Sequence, residues 1–224
     1  MPGQFENMEI IRRVSGPFNL NTYMLVCKNT REVIIIDPGG ETESLIALMR
    51  GKNLTPLRIL NTHGHADQIF SFLSFKNEFP VPSCIHWDDD DFFKDPDVRE
   101  KTRRAVGLPP PYPADIKLAH GDEIRFGEIL LTVIHTPGHT PGSVCFLCEG
   151  HLFTGDAIFV GEAGRTDLPG GNLTQLVESI KTRIMPLDKK TIIHPGHHQG
   201  EEFESTLEKE MKENIYITDF ILSS

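Results

Sequence analysis

Basic residues are scarce in this 224-residue chain. There are 22 lysines and arginines against 32 aspartates and glutamates, a formal net charge of −10. Nucleic acid is therefore not expected as a partner, because neutralising phosphates needs a basic surface. No run of about 18 apolar residues occurs, so no membrane span is expected. Residues 1–6 lack the basic and apolar regions of a signal peptide, and the cytoplasm is the default expectation. Cysteine is also sparse, at four residues. Only Cys145 and Cys148 form a Cys-x-x-Cys, inside a stretch that reads as a strand. Residues three apart on a strand point to opposite faces, so these two are expected to act as small hydrophobes rather than as a thiolate pair. Repeats, low-complexity tracts and a clean linker are all missing. With 38% hydrophobic and 24% charged residues, a folded chain with a real core is expected.

The chain reads as strand-rich, then mixed, then strand-rich again. Residues 8–14, 22–28 and 32–36 read as strands, with a Gly16-Pro17 turn after the first. The third is a continuous apolar β-branched run, which suits burial on both faces. Residues 43–52 carry Leu45, Ile46, Leu48 and Met49 at helical spacing. A strand at 57–61 follows, then a helix at 69–78 with Ile69, Phe72 and Leu73 inward, then a strand at 81–86. Residues 87–113 lose the pattern. Asp88 to Asp91 read as a solvated helix start, and residues 108–113 as a stiff proline-rich loop. Strands return at 116–118, 123–126, 129–135, 143–147, 151–154 and 191–194. Helices are expected at 173–182 and 201–214. The whole chain, 1–224, reads as a single domain of packed sheets with outer helices.

Residues 61–70 read Asn-Thr-His-Gly-His-Ala-Asp-Gln-Ile-Phe. His63, His65 and Asp67 alternate, so in an extended chain they face one way. Similar strand-to-turn stretches recur: Ile36-Asp37-Pro38-Gly39, Thr136-Pro137-Gly138-His139, Thr154-Gly155-Asp156 and His194-Pro195-Gly196-His197. Strand ends thus deliver histidines and acids to one edge of the fold. The chemistry fits a hydrolytic metal such as zinc, bound by imidazole and carboxylate and acidifying its water to a pKa of roughly 7. Asp37 has two readings, one orienting a ligand from behind and one shaping the turn before Pro38. His86, His120, His135, His151, His194 and His198 lack a ligand pattern.

These motifs, in this order, resemble the metallo-β-lactamase fold hydrolases, and within them the short glyoxalase II-like thioesterases. The resemblance covers nearly the whole chain. It implies an α+β fold, a four-layer αββα sandwich with the metals at one edge of the sheets. It places His63, His65 and His139 on a first metal, Asp67 and His197 on a second, and Asp156 between them. The chain departs from the pattern at Gln68, where the family carries a histidine that ligates the second metal. A neutral amide oxygen is a weaker donor toward zinc than imidazole. One tightly held ion with a partly filled second site is expected, with zinc as the metal and iron or manganese as alternatives. Gln68 itself counts as a weak second-site ligand. Where the second ion is absent, Asp67 is free to orient or deprotonate the attacking water.

The stretch 161–171, Gly-Glu-Ala-Gly-Arg-Thr-Asp-Leu-Pro-Gly-Gly, places Arg165 just past Asp156, suited to a substrate carboxylate. The alternative is a structural Arg165–Asp167 turn. The leading expectation is a metal-dependent thioester hydrolase acting on a small molecule such as S-lactoylglutathione. Gly-Arg-Thr-Asp also resembles a loop of the persulfide dioxygenases, so a mononuclear iron dioxygenase is the rival. A third reading, motivated by Gln68 alone, is a catalytically impaired metal-binding member. Nothing in the sequence fixes the oligomeric state.

Overall fold

The computed structural model describes residues 7–15, 18–69, 72–107, 114–198 and 202–223. Six strands form the first sheet in chain order: β1 (Met8–Ser15), β2 (Leu20–Cys27), β3 (Glu32–Ile36), β4 (Thr55–Leu60), β5 (Ser83–His86) and β6 (Ile116–Leu118). The pairs β1–β2 and β2–β3 are antiparallel, and the pairs from β3 to β6 are parallel. The second sheet takes β7 (Glu123–Phe126), β8 (Ile129–His135), β9 (Val144–Cys148), β10 (His151–Gly155), β11 (Ile192–Pro195) and β12 (Ser205–Thr206), again as a simple sequence. Its one parallel pair is β10–β11. Two antiparallel steps separate β8 from β10, so β8, β10 and β11 all run the same way.

The side-chain period of two explains the layering. On β2 and β3, Tyr23, Leu25, Cys27, Ile34 and Ile36 enter the core between the sheets with Phe126, Val133, Phe146 and Phe153. Their alternates Met24, Val26, Val33 and Ile35 pack outward against Leu45 and Met49 of α1 (Thr42–Gly51). On the far side of the second sheet, Cys145, Leu152 and Ile193 meet Leu176, Ile180 and Leu207. These come from α6 (Leu173–Ser179) with its π-helical continuation Ile180–Ile184, and from α7 (Leu207–Glu213). Three apolar layers thus bind four layers of structure, the αββα sandwich the sequence predicts. Strands buried on both faces need apolar residues at every position, hence the unbroken Val33–Ile36 run. Cys148 lies in the inter-sheet core and Cys145 in the outer one, on opposite faces as expected. All four cysteines are buried and free.

Strand 83–86 and helix 207–213 are shorter than expected, and β12 was not foreseen. The larger difference lies at 87–107, which forms α4 (Trp87–Phe92) and α5 (Pro96–Val106). Asp95 caps α5 by accepting from Asp97 N and Val98 N, Pro96 sits in its first turn, and Gly107 ends it at φ 72°. Thr102 is the one buried residue among the described side chains of α5, so no apolar stripe advertised a helix. Two short helices, α2 (Ala66–Ile69) and α3 (Phe72–Glu78), follow the His-rich loop. The Gly16-Pro17 turn, residues 108–113, and the side chains of Ile69, Phe72 and Leu73 lie outside the described residues. The last described helical elements are α8 (Ile215–Ile217) and a π-helical turn at Thr218–Leu222. Among the described residues, no helix is long and apolar enough to cross a membrane.

Candidate metal centre

Each candidate ligand follows the C-terminal end of a strand. Asp37 follows β3, His63 to Gln68 follow β4, His139 follows β8, Asp156 follows β10, and His197 follows β11. The strands before them within each sheet run the same way, so their ends share an edge. The two sheets are pinned together there. Asn21 N donates to Gly196 O at 2.8 Å, Val144 N to Thr62 O at 2.8 Å, and Asn21 Nδ2 to Pro195 O at 2.9 Å. Gly196 is required by contact, because a Cβ would stand 2.6 Å from Asp156 Oδ1.

His63, His65 and His139 converge with one ring nitrogen each inside a 4.8 Å group, and all three are buried. Two of the outer nitrogens, those of His63 and His139, are committed. Asp37 accepts from Thr62 N and from the Thr62 hydroxyl, both at 2.8 Å, and is itself 1% exposed. With its proton given to Asp37, Thr62 Oγ1 can only accept from His63 Nδ1, 3.1 Å away. His139 Nδ1 donates to the Arg165 carbonyl at 2.7 Å. Both rings therefore turn a lone-pair Nε2 inward, and these two nitrogens stand 3.3 Å apart. His65 Nδ1 lies 2.9 Å from His139 Nε2, while its buried Nε2 finds no partner and the edge of Phe93 packs near the ring. Facing lone pairs repel unless a cation lies between them. Burial first, then the neighbouring imidazoles, pushes His63 and His65 well below the usual histidine range, so a proton is disfavoured in that role. Two nitrogens on a tetrahedral zinc at about 2.0–2.1 Å would stand about 3.3 Å apart. The donor set fits a divalent metal.

A second compartment adjoins the first through Asp156. Asp156 Oδ2 is 3.4 Å from His139 Nε2 and 3.5 Å from His197 Nε2, and Asp67 Oδ2 is 3.5 Å from His197 Nε2. His197 Nδ1 donates to Phe18 O at 2.8 Å, which turns its Nε2 into the compartment. Gln68 is fully buried, with Nε2 3.0 Å from His197 Nε2 and 3.5 Å from Asp156 Oδ1, and with Oε1 unpartnered. Burial lowers the proton affinity of His197, but Asp156 and Asp67 overcome it and raise the net value. The Gln68 amide meets either state: its N–H meets the lone pair of a neutral ring, and its oxygen meets the N–H of a charged one. Burial and then Asp156 raise the Asp67 carboxyl. Burial pushes Asp37 up to about 8, against two Thr62 hydrogen bonds that favour its charged form. Asp37 also has φ 50° and caps the turn through Gly39 N to its carbonyl at 2.8 Å, so both geometries expected of it coexist.

The acid run 88–91 is not the solvated face expected. Asp89 is fully buried and Asp90 nearly so. Asp89 reaches the ligand loops, accepting from Gly64 N at 2.7 Å, Thr140 Oγ1 at 2.7 Å and Gly142 N at 2.6 Å. Burial pushes its carboxyl up to about 6, with those three bonds opposing. No spacing signal marks it, since its partners are two backbone groups and a threonine hydroxyl on distant loops. His86, Asp88 and His135 form another group of ligand-type atoms. There the two rings stack at 3.9 Å, and His135 Nε2 donates to Pro141 O at 2.9 Å, so the lone pairs do not converge.

The compartments open on a cavity of about 430 Å³. His65, Asp67, His139, Asp156 and His197 form its floor, and Phe18, Phe159, Ala163, Leu168 and Tyr216 give it an apolar wall. Glu162 and Arg165 also line it. Arg165 is exposed and holds Asp167 through two 2.7 Å bonds. The structure thus contains the Arg165–Asp167 pair, with Arg165 also lining the cavity.

Residues 15–197 match the family model of the metallo-beta-lactamase superfamily. The chain is 35% identical over 199 residues to hydroxyacylglutathione hydrolase GloC of Haemophilus influenzae, covering 85% of this chain and 90% of that protein. It is 32% identical over 213 residues to human mitochondrial persulfide dioxygenase ETHE1, covering 93% of this chain and 76% of that protein. The crystal structure of the B3 metallo-beta-lactamase BLEG-1 superposes with a TM-score of 0.84 at 36% identity, covering 94% of this chain and all of the other. On fold, ligand arrangement and these matches together, the chain belongs to the metallo-beta-lactamase superfamily and is a metal-dependent hydrolase.

Proposed function

We propose that the protein hydrolyses a small acyl thioester, with S-lactoylglutathione as the substrate to test first. The observation that carries this is the three-histidine cluster, two of whose members, His65 and His139, reach the floor of a cavity with an apolar wall and Arg165 among its lining residues. A divalent ion held by His63, His65 and His139 would supply acidified water and a Lewis acid. The chain's own groups do the rest. His63 and His139 are held in the ligating tautomer by Thr62 and by the Arg165 carbonyl. Asp67 orients the attacking water and takes its proton, a role suited to a carboxyl raised by burial. The new C–O bond forms at the thioester carbon, the C–S bond breaks, the departing sulfur takes the proton that Asp67 accepted from water, and the thiol leaves into the apolar part of the cavity. Arg165 offers its guanidinium to a substrate carboxylate. Displacing the exposed Asp167 costs little, because solvent already screens that pair.

Gln68 supports a centre with one tightly held ion. Its amide occupies the inward nitrogen of His197, so a second ion must displace that contact and then accept a weaker donor. Zinc is the metal proposed, with iron or manganese as the alternatives. A single-ion site also favours one second reading, oxygen-dependent persulfide chemistry with iron, to which the Gly164-Arg165-Thr166-Asp167 loop and the ETHE1 relationship add support. Metal analysis of the purified protein, with thiol release from S-lactoylglutathione, decides between them. Turnover with about one equivalent of zinc supports the hydrolase. Iron with oxygen uptake on glutathione persulfide, and no thioester cleavage, refutes it. No turnover of either substrate at any metal loading would indicate the impaired member instead.

A further inference from the structure

We infer that Asp89 is a positioning residue for the three-histidine centre, setting the spacing between the loop carrying His63 and His65 and the loop carrying His139. Those loops leave strands of different sheets, β4 and β8, and no strand pairing joins them directly. One buried carboxylate spans both. Gly64 N, between the two histidines, donates to Asp89 Oδ2 at 2.7 Å. Thr140, the neighbour of His139, donates its hydroxyl to the same oxygen at 2.7 Å, and Gly142 N donates to Oδ1 at 2.6 Å.

The surroundings are shaped for this contact. At Gly142 a Cβ would stand 2.7 Å from the Asp89 Cβ and 2.8 Å from its Cγ. At Gly64 it would run into the Phe93 ring, one turn further along the same segment. The two glycines therefore let this short helix come close enough for the carboxylate to reach both loops. All three partners are donors, and Asp89 is fully buried, so only a group that accepts on both sides fits. An asparagine must turn its NH2 toward either Gly142 N–H or Gly64 N–H. One loop is then pushed away, and the imidazole spacing of 2.9–3.3 Å that suits a single cation changes with it. Asp89 touches none of the histidines and no reacting group, so it acts through them.

The inference rests on the metal-binding reading of the site and not on any substrate. Its test is Zn²⁺ affinity, measured by competition with a chromophoric chelator, beside thermal midpoints with and without Zn²⁺. Asp89→Asn should weaken Zn²⁺ binding by about 10–100-fold, the usual effect of removing a group that orients ligands. It should also shrink the Zn²⁺-induced rise in midpoint. A carboxylate that merely stabilised the fold would lower both midpoints together and leave affinity and rise unchanged, and that result overturns the inference. Should Asp89→Asn fail to fold, Thr140→Val removes one bond of the three. It should weaken Zn²⁺ in the same direction by a smaller factor, and unchanged affinity there is equally fatal. A wild-type protein that binds no Zn²⁺, iron or manganese sinks this inference together with the metal reading of the site. Intact wild-type affinity with an unaffected Asp89→Asn sinks this inference alone.

Discussion

Asp37→Asn tests how the protein controls the proton on a ligand it never touches. In its charged form, which the two Thr62 hydrogen bonds and a cation at the site favour against burial, Asp37 accepts twice from Thr62, and this dictates the direction of the chain Asp37–Thr62–His63. An asparagine retains one acceptor. Facing Thr62 N–H, that oxygen leaves the NH2 group against Thr62 Oγ1. The hydroxyl then receives where it used to give, and its proton turns to His63 Nδ1. His63 must move its own proton to Nε2, the nitrogen facing His139 at 3.3 Å. A protonated nitrogen cannot ligate, so binding a metal requires returning the ring to its other tautomer and leaving a buried donor or acceptor unmatched. Unsatisfied groups of that kind cost about 1–3 kcal/mol. The expected loss of Zn²⁺ affinity is therefore roughly 10–100-fold, in line with groups that orient metal ligands elsewhere. Chelator competition measures the affinity, and the ¹⁵N shifts of the histidine rings report the tautomer in the metal-free protein. Thr62→Val should produce a similar loss, and the double variant should add little, because both break one chain. Unchanged affinity in Asp37→Asn, or a His63 ring that keeps its proton on Nδ1, would refute the reasoning.

Gln68→His should raise bound metal from about one equivalent toward two, read by elemental analysis after dialysis. A wild type that already retains two equivalents equally tightly contradicts the role given to Gln68. His86 is pushed down to about 4, by burial first and then by His135 beside it. Since unfolded histidine titrates near 6.5, the unfolded chain binds more protons between those values, and this contribution is complete above about pH 6.5 and lost as pH falls toward 4. Urea melts of His86→Asn should therefore show less acid destabilisation than wild type over that window, by on the order of 1–3 kcal/mol, and parallel pH slopes would count against it. Phe146 is fully buried between the sheets, so Phe146→Ala should lower stability by about 3–5 kcal/mol. A change under about 1 kcal/mol in a chemical melt would mean that this layer does not carry the fold.

Much of the scaffold was readable because β-strands buried on both faces leave no polar positions. Ile34 and Ile36 face one core and Val33 and Ile35 another, so the run at 32–36 has no other use. The candidate ligands were readable because local chain order, a histidine or acid after a strand, encodes their placement. Gln68 stood out against the family pattern for the same reason. Asp89 was not legible, because its burial depends on where two remote loops pass. Four consecutive acids look solvated until Gly64, Thr140 and Gly142 are brought to one of them. Helix 96–106 escaped because capping by Asp95 and Pro96, not an apolar stripe, defines it. Arg165 illustrates a different gap: its sequence neighbours suggest either a turn with Asp167 or contact with a substrate carboxylate, and the structure shows the Arg165–Asp167 pair beside the cavity.

His63 and His65 leave one sheet and His139 leaves the other, with His65 and His139 74 positions apart along the chain. A cation shared by these rings is thus also a fastener between the two halves of the sandwich. Bringing these rings together in the unfolded chain would close a long loop at an entropic cost, so the cation favours the state in which the sheets are already stacked. Loaded protein should accordingly resist proteases that cut when the sheets part, whatever the substrate. Metal supply would then govern the lifetime of the molecule as well as its turnover.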